Sequence, residues 1–149
     1  MQGASLSTPS TRDLERILAV IGTAVCLIVS ILIWQVFSAQ QPMWPLPDLY
    51  LLEMLAACLL GIWCIWNSGS GLSSLRGYLS WMVVGVLFAF VIMGAWSVGF
   101  LFLPVAGLFA VTAVLSDRRQ HEKLVFHLGA GLAAAVAQAS LMLFVIRLL

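Results

Sequence analysis

Charge is what this 149-residue sequence has least of: Asp, Glu, Lys and Arg make up 9% of it, seven basic residues against six acidic. A soluble domain carries about 25%. A formal net charge of +1 excludes an electrostatic nucleic-acid binder. An apolar content of 62% excludes a disordered tail and a soluble enzyme. Cysteine is scarce as well. Cys26, Cys58 and Cys64 all fall in apolar runs and form no CxxC, so neither a disulfide scaffold nor a zinc site is expected. They read as small packing residues. Leu55-Ala56-Ala57-Cys58 has the pattern of a lipoprotein cleavage box, but it lies inside the second apolar run, far from any N-terminal signal position.

Catalytic signatures are missing too. There is no HExxH, no GxSxG and no phosphate loop; Gly69-Ser70-Gly71 lacks the Gly-Lys-Ser/Thr ending and a preceding strand. His121 and His127 are six residues apart and would point about 120° away from each other on one helix, so they cannot share a metal. No metal, no cofactor and no enzymatic activity are expected.

What is present is long apolar runs. Ser10-x-x-Asp13 offers a hydroxyl and a carboxylate to the free N–H groups of a helix start. The run Ile17 to Phe37 then supplies 21 residues, enough to cross a hydrocarbon core of about 30 Å. It is too long for a signal h-region and reads as a retained span. Pro42, Pro45 and Pro47 forbid a continuing helix. A second span runs from Leu49 to Trp66 and stops at Asn67-Ser68-Gly69-Ser70-Gly71.

From Tyr78 to Leu115 the chain carries no formal charge for 38 residues. A straight helix of that length would rise about 57 Å, nearly twice the hydrocarbon thickness. The segment must double back, and its weakest helical stretch is Gly94 to Gly99, followed by Pro104. Pro104 is least costly in a first helical turn. Asp117 with Gln120 suggests the cap of a last helix whose apolar part is Leu124 to Ile146.

Basic residues choose between the topologies, because Lys and Arg gather on the cytoplasmic side. With five spans and the N-terminus inside, Arg12, Arg16, Arg76, Arg118, Arg119 and Lys123 lie inside and only Arg147 outside, six against one. With four spans the last three inside residues change sides and Arg147 joins the inside, four against three. The expected fold is all-α: one polytopic membrane domain of five transmembrane helices, with spans at about 17–37, 49–66, 78–95, 100–115 and 124–146 and a flexible polar tail over 1–9. Four spans plus a re-entrant segment at 96–103 is the runner-up.

Within the spans few side chains are polar. Glu53 is the only acid inside an apolar run, and it must be paired, protonated or able to snorkel. Gln138 is the only amide well inside a span, and Arg147 ends the last one. Glu53, Gln138 and Arg147 therefore form a candidate intramembrane cluster, with an acid that reaches the headgroups alone as the simpler reading. Helices in lipid associate through small residues. Gly131, Ala135 and Ala139 form one such row on the last span, and Gly129, Ala133 and Ala137 a second. The simpler reading puts this helix in the middle of its own bundle; the sharper one makes it a subunit interface. The tryptophans Trp34, Trp44, Trp63, Trp66, Trp81 and Trp96 fall near expected boundaries and read as interfacial belts.

The sequence thus implies a small, non-enzymatic multi-pass protein, an accessory subunit or interaction module. Its expected setting is the bacterial inner membrane, with the N-terminus cytoplasmic. Its partners are the lipid bilayer and other membrane subunits or itself. The alternative is a homo-oligomeric channel or transporter with a polar path through Glu53 and Gln138. Five spans do not divide into two equal inverted halves, which counts against the inverted-repeat plan within one chain.

Overall fold

A computed structural model describes residues 10–38, 46–67, 73–94, 98–120 and 124–148. The expected flexible tail, the loop holding Pro42 and Trp44, the Gly69–Gly71 turn, Trp96 and His121 lie outside these residues. The described chain is all-α. Its helices are α1 (Thr11–Ser38), α2 (Leu46–Trp66), α3 (Ser73–Met93), α4 (Leu103–Gln120) and α5 (Leu124–Leu148), with a 3-10 turn, Gly99–Phe102, leading into α4. All five helices are long and apolar enough to cross a membrane.

Local chemistry sets the boundaries. Ser10 precedes α1; its Oγ accepts the Asp13 N–H at 3.3 Å and donates to Asp13 Oδ2 at 2.8 Å. One orphan N–H of the first turn is thereby satisfied, and the hydroxyl proton is engaged as well. The helices overrun the apolar spans: α3 begins before Tyr78 and α4 continues past Leu115. Helical hydrogen bonding does not stop where hydropathy falls, so the charged turns at one end of the bundle remain helical.

The uncharged middle doubles back, as its length requires. α3 ends at Met93, and the N–H of Gly99 donates to the carbonyl of Gly94 at 2.7 Å. A Cβ on Gly94 would lie 2.9 Å from the Gly99 Cα, so the reversal needs glycine on both sides. Tyr50 of α2 closes the same corner, donating from its hydroxyl to the Phe90 carbonyl at 3.1 Å. Its ring meets Phe90 edge-on at 4.7 Å. Pro104 is the second residue of α4, where its missing N–H has no intrahelical acceptor to lose.

α1 packs on α2 and α4, and α3 packs on the same two helices, so the first four form a ring. Phe109 of α4 fills its centre: its ring lies against both Gly22 of α1 and Gly61 of α2, so closely that a Cβ on Gly61 would collide with it. Met54, Leu87, Phe90, Phe102 and Val105 are buried in the same core.

α5 stands outside the ring and packs chiefly on α3. Of its membrane window only 11% is buried, against 56% for α3. The expectation that the last helix occupies the middle of the bundle is therefore corrected: α3 is central and α5 is the edge. Small residues bring a helix close to one neighbour, but they cannot say how many neighbours it has.

Candidate functional site

Among the described residues, side chain-to-side chain hydrogen bonds between helices fall at two levels, and both levels attach α5. The first lies at the end where α1, α3 and α5 begin and α2 and α4 finish. Asp117 falls on the buried stripe of α4 that runs through Val105, Phe109 and Ala113, each step a helical turn. That register aims its carboxylate between α3 and α5. Oδ2 accepts the indole N–H of Trp81 at 2.7 Å, and Oδ1 meets His127 Nδ1 at 2.9 Å. Asp117 is 4% exposed and His127 1%. One proton is shared along this Oδ1–Nδ1 contact.

The imidazole abuts α3 at Gly77. Gly77 makes this fit, since a Cβ there would stand 2.5 Å from His127 Cε1 and 2.9 Å from Nε2. Tyr78 meets the imidazole edge-on, centroids 4.5 Å apart. An Asp–His pair is also the device that orients general bases and metal-bound histidines. Here the ring sits on backbone, and among the described residues no group of three His, Cys, Asp or Glu is placed to hold a metal ion. What the arrangement does is join α3, α4 and α5 through buried hydrogen bonds. Glu15 and Arg76 are buried at the same end, each engaged in a polar or electrostatic contact of its own.

This cluster overturns two readings of the sequence. Asp117 does not cap α5; it is an interior residue of α4. Trp81 is not part of an interfacial belt: it is 8% exposed and holds the carboxylate. Trp34, Trp63 and Trp66 do stand exposed on the bundle surface.

The second level lies deeper. Gln138 Nε2 donates to Glu53 Oε2 at 2.7 Å, joining α5 to α2. Gln138 is about 21 Å of rise from the start of α5, and Glu53 about 10 Å from the start of α2 at the opposite end. The two rises together match one hydrocarbon thickness, so both side chains reach the same depth. Glu53 is partly buried there, about a third of the way in. Arg147 does not join them. It is exposed, and no ion pair links it to Glu53 among the described residues. Nine residues past Gln138, it points about 180° away and lies about 13 Å further along the axis.

Between the two levels runs a glycine seam. A Cβ on Gly85 of α3 would collide with the carbonyl oxygen of Gly131, and one on Gly131 would stand 2.8 Å from the Trp81 carbonyl oxygen. Ala135 and Ala139 are partly buried, while Ala134 is buried. The contact line thus follows His127, Gly131, Ala134 and Gln138, alternating four and three residues, and drifts off the strict four-residue row. The second row, Gly129, Ala133 and Ala137, faces outward, and a Cβ on Gly129 would meet nothing within 4 Å.

Set against known families, characterised proteins and solved structures, the chain matches none.

Proposed function

We infer that this multi-pass membrane protein is a non-enzymatic accessory subunit or interaction module that works through its helix surfaces. The observation that carries this reading is the Gln138–Glu53 hydrogen bond. It engages an acid of α2 with an amide of α5, in a bond that holds two helices together. A transport path would need those groups to line a wet passage, and no observation favours that over a closed pair. The surface supports the same reading: Leu132, Val136 and the small row Gly129, Ala133 and Ala137 are exposed along α5, and close helix approach in lipid relies on such residues.

The bacterial inner membrane, with the end that carries Arg12, Arg16, Arg76 and Arg118 in the cytoplasm, completes the proposal. An impermeant thiol reagent added to intact cells tests this orientation. It should spare a cysteine placed at Gln120; labelling there would invert the map.

The function is tested by gentle detergent extraction, with a photo-crosslinking residue placed at Ala133 and, as control, at Ala134. Adducts to one defined membrane protein from position 133 and not from 134 support the subunit reading. Recovery of this chain alone, as a uniform oligomer that passes ions in liposomes and stops doing so on Glu53→Gln, would replace it with the channel.

A further inference from the structure

Two exposed helix faces of this chain match each other in depth. On α5 the side turned away from α3 carries Gly129, Ala133, Val136 and Ser140, all exposed, and these positions recur within about 40° of one another around the helix. On α2 the outward side carries Leu52, Ala56, Leu59 and Trp63, exposed as well. The Gln138–Glu53 bond sets the two helices at one common level. At about 1.5 Å of rise per residue, Gly129 then lies within about 1.5 Å of the depth of Trp63, Ala133 of Leu59, Val136 of Ala56 and Ser140 of Leu52. In every pair a small residue stands against a larger one. The largest, Trp63, is 53% exposed, and the smallest, Gly129, has nothing within 4 Å of the place a Cβ would take.

Within one molecule these faces do not meet, because α5 packs chiefly on α3 while α2 packs on α1 and α3. Two molecules inserted in the same orientation share one depth scale. The α5 of one then runs antiparallel to the α2 of the next, with small residues opposite larger ones along the whole contact, and helices in lipid associate by such close fit. Charge agrees with shape. Arg147, exposed in the last turn of α5, and Asp48, half-buried in the first turn of α2, end the two faces on the same side of the membrane. Among the described residues no ion pair holds either of them. Their backbones differ in depth by about 6 Å. Each side chain leans toward the N-terminus of its own helix, which brings the guanidinium and the carboxylate toward each other. We propose that the outward face of α5 docks on the outward face of α2 in a second copy of this chain, with Arg147 of one copy paired to Asp48 of the next. The two faces differ, so the contact is heterologous and joins copies head to tail. This rests on the reading that the chain works through its helix surfaces, and it names the partner.

The test uses two full-length versions of the chain, differently tagged, produced together and oxidised in the membrane. The native Cys26, Cys58 and Cys64 are buried, so the wild-type chain is the blank. Ala133→Cys in one version and Leu59→Cys in the other should form a disulfide between copies. Ala133→Cys with Leu52→Cys should not, because those depths differ by about 9 Å, too far for a disulfide. Ala133→Cys in both versions should stay unlinked, since the two docking faces differ. With the purified chain in liposomes, energy transfer between labelled copies measures association. Arg147→Asp should weaken it by about two- to fivefold, the scale of an exposed ion pair, and Asp48→Arg combined with Arg147→Asp should restore it. No energy transfer between wild-type copies, equal linking at positions 52 and 59, or linking of Ala133→Cys to itself overturns the proposal. Photo-adducts from position 133 to a foreign protein alone also overturn it, while leaving the subunit reading in place. Ion passage by the self-assembled chain would instead retire that reading and leave the contact between copies standing.

Discussion

Adding one methyl group at Gly85 should release α5 while leaving the rest of the bundle folded. The new Cβ would run into the carbonyl oxygen of Gly131. This is backbone against backbone, with no flexible side chain that can turn aside. The helices must separate, and separation strains both polar attachments, His127 on Asp117 and Gln138 on Glu53. Overpacking of this kind costs about 1–3 kcal/mol. The seam is the main contact of α5, so the loss should appear locally. Hydrogen exchange in lipid nanodiscs should accelerate over residues 124–148, by about fivefold to a hundredfold for that range of energies, with little change over α1 and α2. Gly129→Ala is the matched control. It makes the same substitution on α5 itself, where nothing lies within 4 Å of the new methyl, and helix propensity alone would make it neutral or stabilising by up to about 1 kcal/mol. Equal exchange in the two variants, or exchange in Gly85→Ala as slow as in the wild-type chain, would refute the reasoning.

Asp117→Ala should destabilise the chain by about 2–4 kcal/mol in a denaturant titration, because it leaves the Trp81 N–H and His127 Nδ1 buried without an acceptor. Asp117→Asn, which keeps an oxygen for Trp81, should lose less, and the indole N–H resonance of Trp81 should move further in the alanine variant; equal losses would argue against the shared carboxylate. Gln138→Leu should cost up to about 2 kcal/mol, and the double variant Glu53→Leu with Gln138→Leu should recover most of it, because replacing both partners removes the unpaired carboxylate. A double-mutant cycle with zero coupling would show that the bond does not hold the helices.

Much of this architecture can be read in the residues themselves. The five crossings follow from run lengths and from where Arg and Lys fall, and the reversal follows from Gly94, Gly99 and Pro104. Ser10 and Asp13 announce the start of α1. Glu53 stands out as the one acid inside an apolar run and Gln138 as the one amide well inside a span, although Arg147, which shares their end of the molecule, points the other way. The cluster at Asp117 is hidden in the sequence because its members are 10 and 36 residues away from it and carry no shared motif. Its signal is register: Asp117 continues the Phe109–Ala113 stripe by one more turn, which matters only once α4 is known to run to Gln120. The position of α5 is illegible for a different reason. In lipid, apolar faces look alike whether they meet a helix or an acyl chain, so hydropathy cannot tell an edge helix from a central one.

The attachment of α5 bears on how the molecule is made. A ribosome delivers Asp117 to the bilayer before His127 exists, and until α5 arrives that carboxylate has only the indole of Trp81. Insertion therefore passes through a four-helix form in which this acid is open on one flank. The 25 residues of α5 close that flank last, so the final helix completes the bundle's burial of its own charge.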